Sequence, residues 1–232
     1  MNSPGRQRTH VLIVLSHPVA GKEGAFTDWY QGVYRDSVLG SRVVLSLQHY
    51  ERHEFDLSQG EYSPLPFDYL GLCEICVDGA SAAEDLIDRV TALHGESGQA
   101  TAPATWLYYP VSEKAGRAPN VMPSLLTLAF ANALPGREDE FREWYATRHI
   151  RHALQVPALV SGQCLQRTLF QKPGSLASNY STVAVYEQEG SPESIVESFK
   201  AIPASMFDFP ALDASRANFS EWVYRPLLDD EK

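Results

Sequence analysis

The chain has 232 residues, of which 44% are hydrophobic and 21% charged, an ordinary globular balance with enough apolar side chains for a packed core. Its formal net charge of -10 argues against nucleic acid or an anionic membrane as partner, because both are held by basic surfaces. A small molecule is the expected partner.

The polar start MNSPGRQRTH leads into the apolar run VLIVL. That run is shorter than the roughly 7–15 residues of a signal-peptide core or the roughly 20 of a membrane span. Neither export nor anchoring is expected. With three cysteines, an odd number, a reducing cytoplasm fits better than a disulfide framework.

Hydrophobic period then places the elements in order. An apolar strand at 11–16 is followed by a turn at Gly21, a helix near 22–39 and a strand at 42–50. After a polar connection come a strand at 69–77, a helix at 81–93 and a closing strand around Trp106. Segment 113–123, rich in Gly, Pro and Ala, reads as a linker. The pattern then repeats: strand 125–131, helix 137–154, strand 158–170, strand 180–187, helix 192–201, and a strand around Trp222.

The repetition extends to residue identity. Gly21 and Gly136, Glu23 and Glu138, Phe26 and Phe141, Trp29 and Trp144, Tyr30 and Tyr145, and Leu39 and Leu154 are each 115 apart, as are Ser46 and Ser161 and Gln48 and Gln163. Each half has the order β-α-β-β-α-β, so the fold class is α+β with two tandem ferredoxin-like repeats, at 1–112 and 124–232, joined by 113–123. One such unit leaves a sheet face bare, and two in one chain can cover each other. An eight-stranded barrel with the helices outside is expected. It could be complete as a monomer or assemble further as a homodimer.

The stretch LPGREDEFREWYATRHIRHALQVPALVSGQ, Leu134 to Gln163, resembles the signature of EthD-like proteins in the dimeric α/β-barrel superfamily. There the first helix carries Glu-Phe-x-x-Trp-Tyr-x-x-x-His, followed by Leu-x-x-Pro-Gly. The resemblance implies an intramolecular version of the dimeric α/β barrel. It places the family histidine at His149 and the Trp-Tyr pair at Trp144 and Tyr145. Relatives include polyketide cyclases, decarboxylases, dehydratases, cofactor-independent quinone-forming monooxygenases, muconolactone isomerases and haem-handling enzymes. Most of the small ones use no metal. This sequence departs from the pattern in having Tyr34 where the second half has His149, and Ala158 for the Gly of Pro-Gly. An arginine expected in the second strand near Cys164 is missing.

Phe141, Tyr145, His149 and His152 form one helical stripe, matched in the first half by Phe26, Tyr30 and Tyr34. As packing, the stripe fills space between helix and sheet. As a site, His149 supplies acid/base chemistry near neutrality and Tyr34 donates to a developing oxyanion, the two as catalytic residues. Tyr30, Tyr145, His152, Trp29, Trp144, Gln48, Ser161 and Gln163 are the substrate-binding candidates. Ser46, Gln48, Ser161 and Gln163 alternate with apolar residues and so share one strand face in each half. Cys73 and Cys76 have CxxC spacing, but a strand sends i and i+3 to opposite faces, so no metal is expected. His49 could face a cavity and His17 reads as a loop residue. No dinucleotide fingerprint, P-loop or nucleophile elbow is present, and no cofactor is expected.

Three functions fit these features. The first is a cofactor-independent lyase or isomerase acting on an aromatic, polyketide-like or enolisable substrate. The second is a cofactor-free monooxygenase of phenols, and the third a non-catalytic small-molecule binding protein.

Overall fold

The computed structural model describes residues 7–54, 67–119, 123–169, 180–201 and 216–227, with only the backbone described at 216–219. The first repeat supplies strands β1 (His10–Ser16), β2 (Val44–Arg52), β3 (Tyr69–Ile75) and β4 (Ala104–Pro110). Its first helix runs as α1 (Glu23–Trp29), a π turn (Tyr30–Tyr34) and α2 (Arg35–Leu39), and its second is α3 (Ala80–Ser97). Segment 113–123, expected as a linker, carries β5 (Ala115–Gly116). The second repeat has β6 (Leu125–Ala133), α4 (Glu138–Trp144), a π turn (Tyr145–His149), α5 (Ile150–Ala153), β7 (Leu159–Arg167), β8 (Thr182–Gln188), α6 (Pro192–Lys200) and β9 (Arg216–Pro226).

The strands follow the order β4-β1-β3-β2-β9-β6-β8-β7, and β4 pairs with β7 to close the barrel. The two joints are equivalent. Each repeat's last strand pairs antiparallel with the other's second strand, Tyr50 opposite Pro226 and Pro110 opposite Leu165. This is the expected eight-stranded barrel, and neither repeat has a complete core alone. β5 also contributes, because Ala115 and Gly116 pair with Gly162 and Ser161 of β7.

The recurring Gly and Glu are turn architecture. Gly21 and Gly136 both have φ of 80°, a left-handed conformation that glycine adopts without steric cost, and each donates its N–H to the carboxylate two residues on, Glu23 or Glu138. Strand alternation divides the apolar residues into three cores. Ile13, Trp106, Phe130 and Trp222 fill the barrel interior, with the two Trp rings 5.9 Å apart. Leu12, Val14 and Cys73 face α1 and α3, whereas Ala129, Cys164 and Tyr186 face α4 and α5. Phe26 stacks on Tyr30 at 5.0 Å and 22°, and Phe141 on Tyr145 at 5.1 Å and 22°. The shared aromatics therefore have one architectural role, performed twice.

Cys73 is buried in β3, Cys76 lies just beyond it, and both are free thiols. Among the described residues no group of three or more His, Cys, Asp or Glu side chains could hold a metal ion. No described helix is long and apolar enough to cross a membrane.

Candidate functional sites

The residues proposed from sequence as one site lie in three places. Tyr30, Tyr34 and Trp29 belong to the first repeat's helix layer, and Tyr145, His149 and Trp144 to the second's. Gln48, itself exposed, and Gln163 line a cavity at one end of the barrel. Tyr34 and His149 therefore lie in different helix layers, and the structure does not bring together the pair expected from the aligned helices. The physical reason is that a sheet separates its two faces, while equivalent helices lie over different halves of it.

A π turn lies at the same place in both repeats, and in the second the stripe departs from the regular α pattern. One extra residue per turn carries the buried face from Tyr145 to Ile150 and Ala153. His149 is left half-buried at its shoulder, and His152 does not occupy the buried position that a regular α stripe gives it. The His149 ring lies 4.5 Å from Tyr145, nearly parallel at 13°, 4.9 Å from Trp144, and 6.5 Å edge-on from Tyr186. Tyr145 donates to the Ala129 carbonyl at 3.3 Å, so its hydroxyl has a structural partner. The Tyr186 hydroxyl is buried and meets no hydrogen-bond partner among the described residues. Burial holds it well above the usual phenol pKa, and Tyr145 and Cys164 nearby add to the shift. It is a neutral donor at any physiological pH. Tyr186 was missed in the sequence; it sits on the helix-facing side of a strand that reads as plain alternation.

In the first repeat the ring set is tighter. His49 of β2 stacks on Tyr30 at 3.9 Å and lies 5.7 Å from Tyr34. It faces the helix layer, not the barrel cavity. Burial, with smaller contributions from Arg35 and His94, lowers its pKa to about 3. His94 of α3 donates from Nδ1 to the Val90 carbonyl at 2.8 Å, which leaves Nε2 to accept from the Ser16 hydroxyl at 2.8 Å. Trp29 packs against Tyr34 and His94, the anchoring role of a core aromatic. Outside this layer, His17 bonds Asp68 in the turn after β1.

The barrel interior opens at one end into a cavity of about 210 Å³. Bulges at equivalent places in β2 and β7, beside Val44 and Leu159, set the register there. Ser46 stands opposite Glu74 and Ser161 opposite Glu187, and each serine donates to its glutamate. Arg8 donates to Glu74 and to Gln163, both at 2.6 Å, tying the first repeat to the second. Lys114 pairs with Glu187 at 2.8 Å. Gln163 also donates to the Ser112 carbonyl, and Tyr50 donates to Gln48. Ser46, Gln48, Ser161 and Gln163 were legible in the sequence as one strand face, whereas Glu74 and Glu187 were not. A single acidic residue near the end of each apolar strand, YLGLCEI and TVAVYEQ, was the available signal.

No protein-family model and no curated protein sequence matches the chain. Solved structures do. An anthrone oxidase-like protein superposes with a TM-score of 0.65 at 11% identity, covering 97% of this chain and 93% of its own. A candidate monooxygenase from Fusobacterium nucleatum gives 0.62 at 10%, covering 95% and 94%. A variant chlorite dismutase from Candidatus Nitrospira defluvii gives 0.54 at 12%, covering 95% and 92%. At such identities the likeness concerns the chain path, and it agrees with the strand order and closure described above. The protein has the ferredoxin-like dimeric α/β-barrel fold, closed within a single chain.

Proposed function

We propose that the protein is an enzyme that removes a proton from a small aromatic or enolisable compound held between helix and sheet in the second repeat. The observation that carries this reading is the pairing of a partly buried imidazole, His149, with a tyrosine, Tyr186, whose hydroxyl is buried and unpartnered among the described residues, the ring centroids 6.5 Å apart. His149 accepts the proton, and Tyr186 donates a hydrogen bond to the enolate or phenolate oxygen that forms. Trp144, half-buried against His149, offers an aromatic face to the substrate ring. Returning the proton at another carbon gives isomerisation, and loss of a leaving group from the anion gives a lyase outcome. The EthD-like pattern that ends on His149 supports the same assignment.

A second outcome uses the same anion. Attack on dioxygen, with one oxygen atom retained and the other released as water, gives a cofactor-free monooxygenase. The fold-level likeness to an anthrone oxidase-like protein favours including it.

Anthrone is therefore the first compound to test. Under nitrogen in deuterated buffer, the protein is expected to accelerate exchange at the acidic methylene, and His149→Ala to slow it by about 10²-fold. Exchange at the same rate with and without protein overturns the proposal for this substrate class. Oxygen uptake on admitting air separates the oxidative outcome from the lyase or isomerase one.

A further inference from the structure

We propose that the barrel-end cavity binds a small zwitterion with an aliphatic body, an α-amino acid of about leucine size. The site is separate from the His149 layer, because its lining comes from the opposite face of the sheet.

Charge balance restricts the ligand first. Two carboxylates, Glu74 and Glu187, face two cations, Arg8 and Lys114. The lining is formally neutral within a chain of net charge -10. A ligand of either net charge leaves one charge poorly compensated in a partly desolvated space, whereas a zwitterion does not.

The uncommitted atoms then define a head group. Both contacts of Glu187, from Ser161 and Lys114, fall on Oε2, so Oε1 is available to accept from an ammonium group. Its side chain is 15% exposed, which makes that acceptor a strong one. Lys114 has three donors and uses one. Gln48 accepts from Tyr50 through Oε1, leaving its amide N–H groups to donate. A ligand carboxylate can take hydrogen bonds from Lys114 and Gln48 while the adjacent ammonium donates to Glu187. An α-amino acid carries those two groups on one carbon.

The walls define the body. Val11 and Leu126, at equivalent positions of β1 and β6, and Leu72 and Val185, of β3 and β8, line the cavity with branched aliphatic surface. Its volume of about 210 Å³ is below the roughly 300–1,000 Å³ typical of drug-sized ligands. One branched side chain fits that description.

Titration calorimetry of the full chain tests this. L-Leucine is expected to give saturable one-to-one binding. Glycine, which lacks the body, and 4-methylpentanoate and 3-methylbutylamine, each with one charge, are expected to bind at least tenfold more weakly. Glu187→Gln and Lys114→Met are expected to weaken leucine at least tenfold, and His149→Ala to leave it unchanged. Should Glu187→Gln prove unfolded by circular dichroism, Lys114→Met decides, since that side chain is 48% exposed. Absence of saturable leucine binding, equal binding of a singly charged analogue, or wild-type affinity in Lys114→Met overturns the proposal.

Discussion

Tyr34 stacks on His49 with ring centroids 5.7 Å apart, helix against strand, and the second repeat forms a Tyr–His pair with the elements exchanged. There the helix supplies His149 and the strand β8 supplies Tyr186, at 6.5 Å. His49 corresponds in the repeat to Cys164, and Tyr186 to Cys73, so each half has a small thiol where the other has a ring. The two pairs differ in access. Tyr34 and His49 are buried, whereas His149 is only partly buried, and the proposed chemistry on a diffusing substrate is placed in the second repeat for that reason.

The Tyr186 hydroxyl should separate stability from activity. Removing a buried hydroxyl that has no partner is neutral or stabilising by up to about 1 kcal/mol. Tyr186→Phe is therefore expected to unfold at the same or higher urea concentration than the parent. On the proposed mechanism the same variant exchanges the substrate proton about tenfold or more slowly. A loss of stability of more than about 1 kcal/mol would show that the hydroxyl has a structural partner.

Tyr34→Phe provides the comparison. Its hydroxyl is likewise buried without a hydrogen-bond partner among the described residues. The urea midpoint is expected to hold or rise, as for Tyr186→Phe, but exchange should stay at the parental rate because Tyr34 lies in the other helix layer. A rate loss matching that of Tyr186→Phe would place both tyrosines in one functional unit.

Gly162 is required for space. A Cβ there would stand 2.8 Å from Cδ1 of Tyr186 and 3.2 Å from Ile150. Gly162→Ala is expected to cost about 1–3 kcal/mol, an overpacking penalty, measured as a lower urea midpoint with an unchanged slope. Combining it with Tyr186→Leu should recover part of the loss, since the ring is what the methyl group meets.

Acid sensitivity should come from two buried histidines. Burial lowers His49 to about 3, and lowers His94 to about 4 against a smaller opposing effect of its bond to Val90. The unfolded chain protonates both near their ordinary value of about 6.5. Between that pH and about 4 the unfolded state binds more protons, so this stability is present above pH 6.5 and is lost as pH falls. The slope approaches about 1.4 kcal/mol per pH unit for each histidine. Urea titrations from pH 7 to pH 4.5 check it, and His49→Gln should remove one histidine's share of the slope. A flat profile would mean that both rings take up protons in the folded protein over the same pH range as in the unfolded chain.

The sequence by itself determined the repeat, the element order and the barrel. Hydrophobic periods of 2 and 3.6 report which faces are apolar, and two bare sheet faces in one chain have one economical way to be covered. It also determined that Phe26, Trp29 and Tyr30 share a role with Phe141, Trp144 and Tyr145, and that Ser46, Gln48, Ser161 and Gln163 share a strand face. Tertiary structure decided which of these side chains meet. Both repeats carry a π turn at this place, yet Tyr34 is buried and His149 only partly so, a difference that helical period alone does not report. Cross-strand neighbours, such as Ser46 with Glu74 or Arg8 with Gln163, depend on pairing between segments far apart in the chain. Tyr186 and Glu187 illustrate the limit. They are adjacent in sequence, but strand alternation turns one toward the helix layer and the other into the barrel, so two consecutive residues face two different environments.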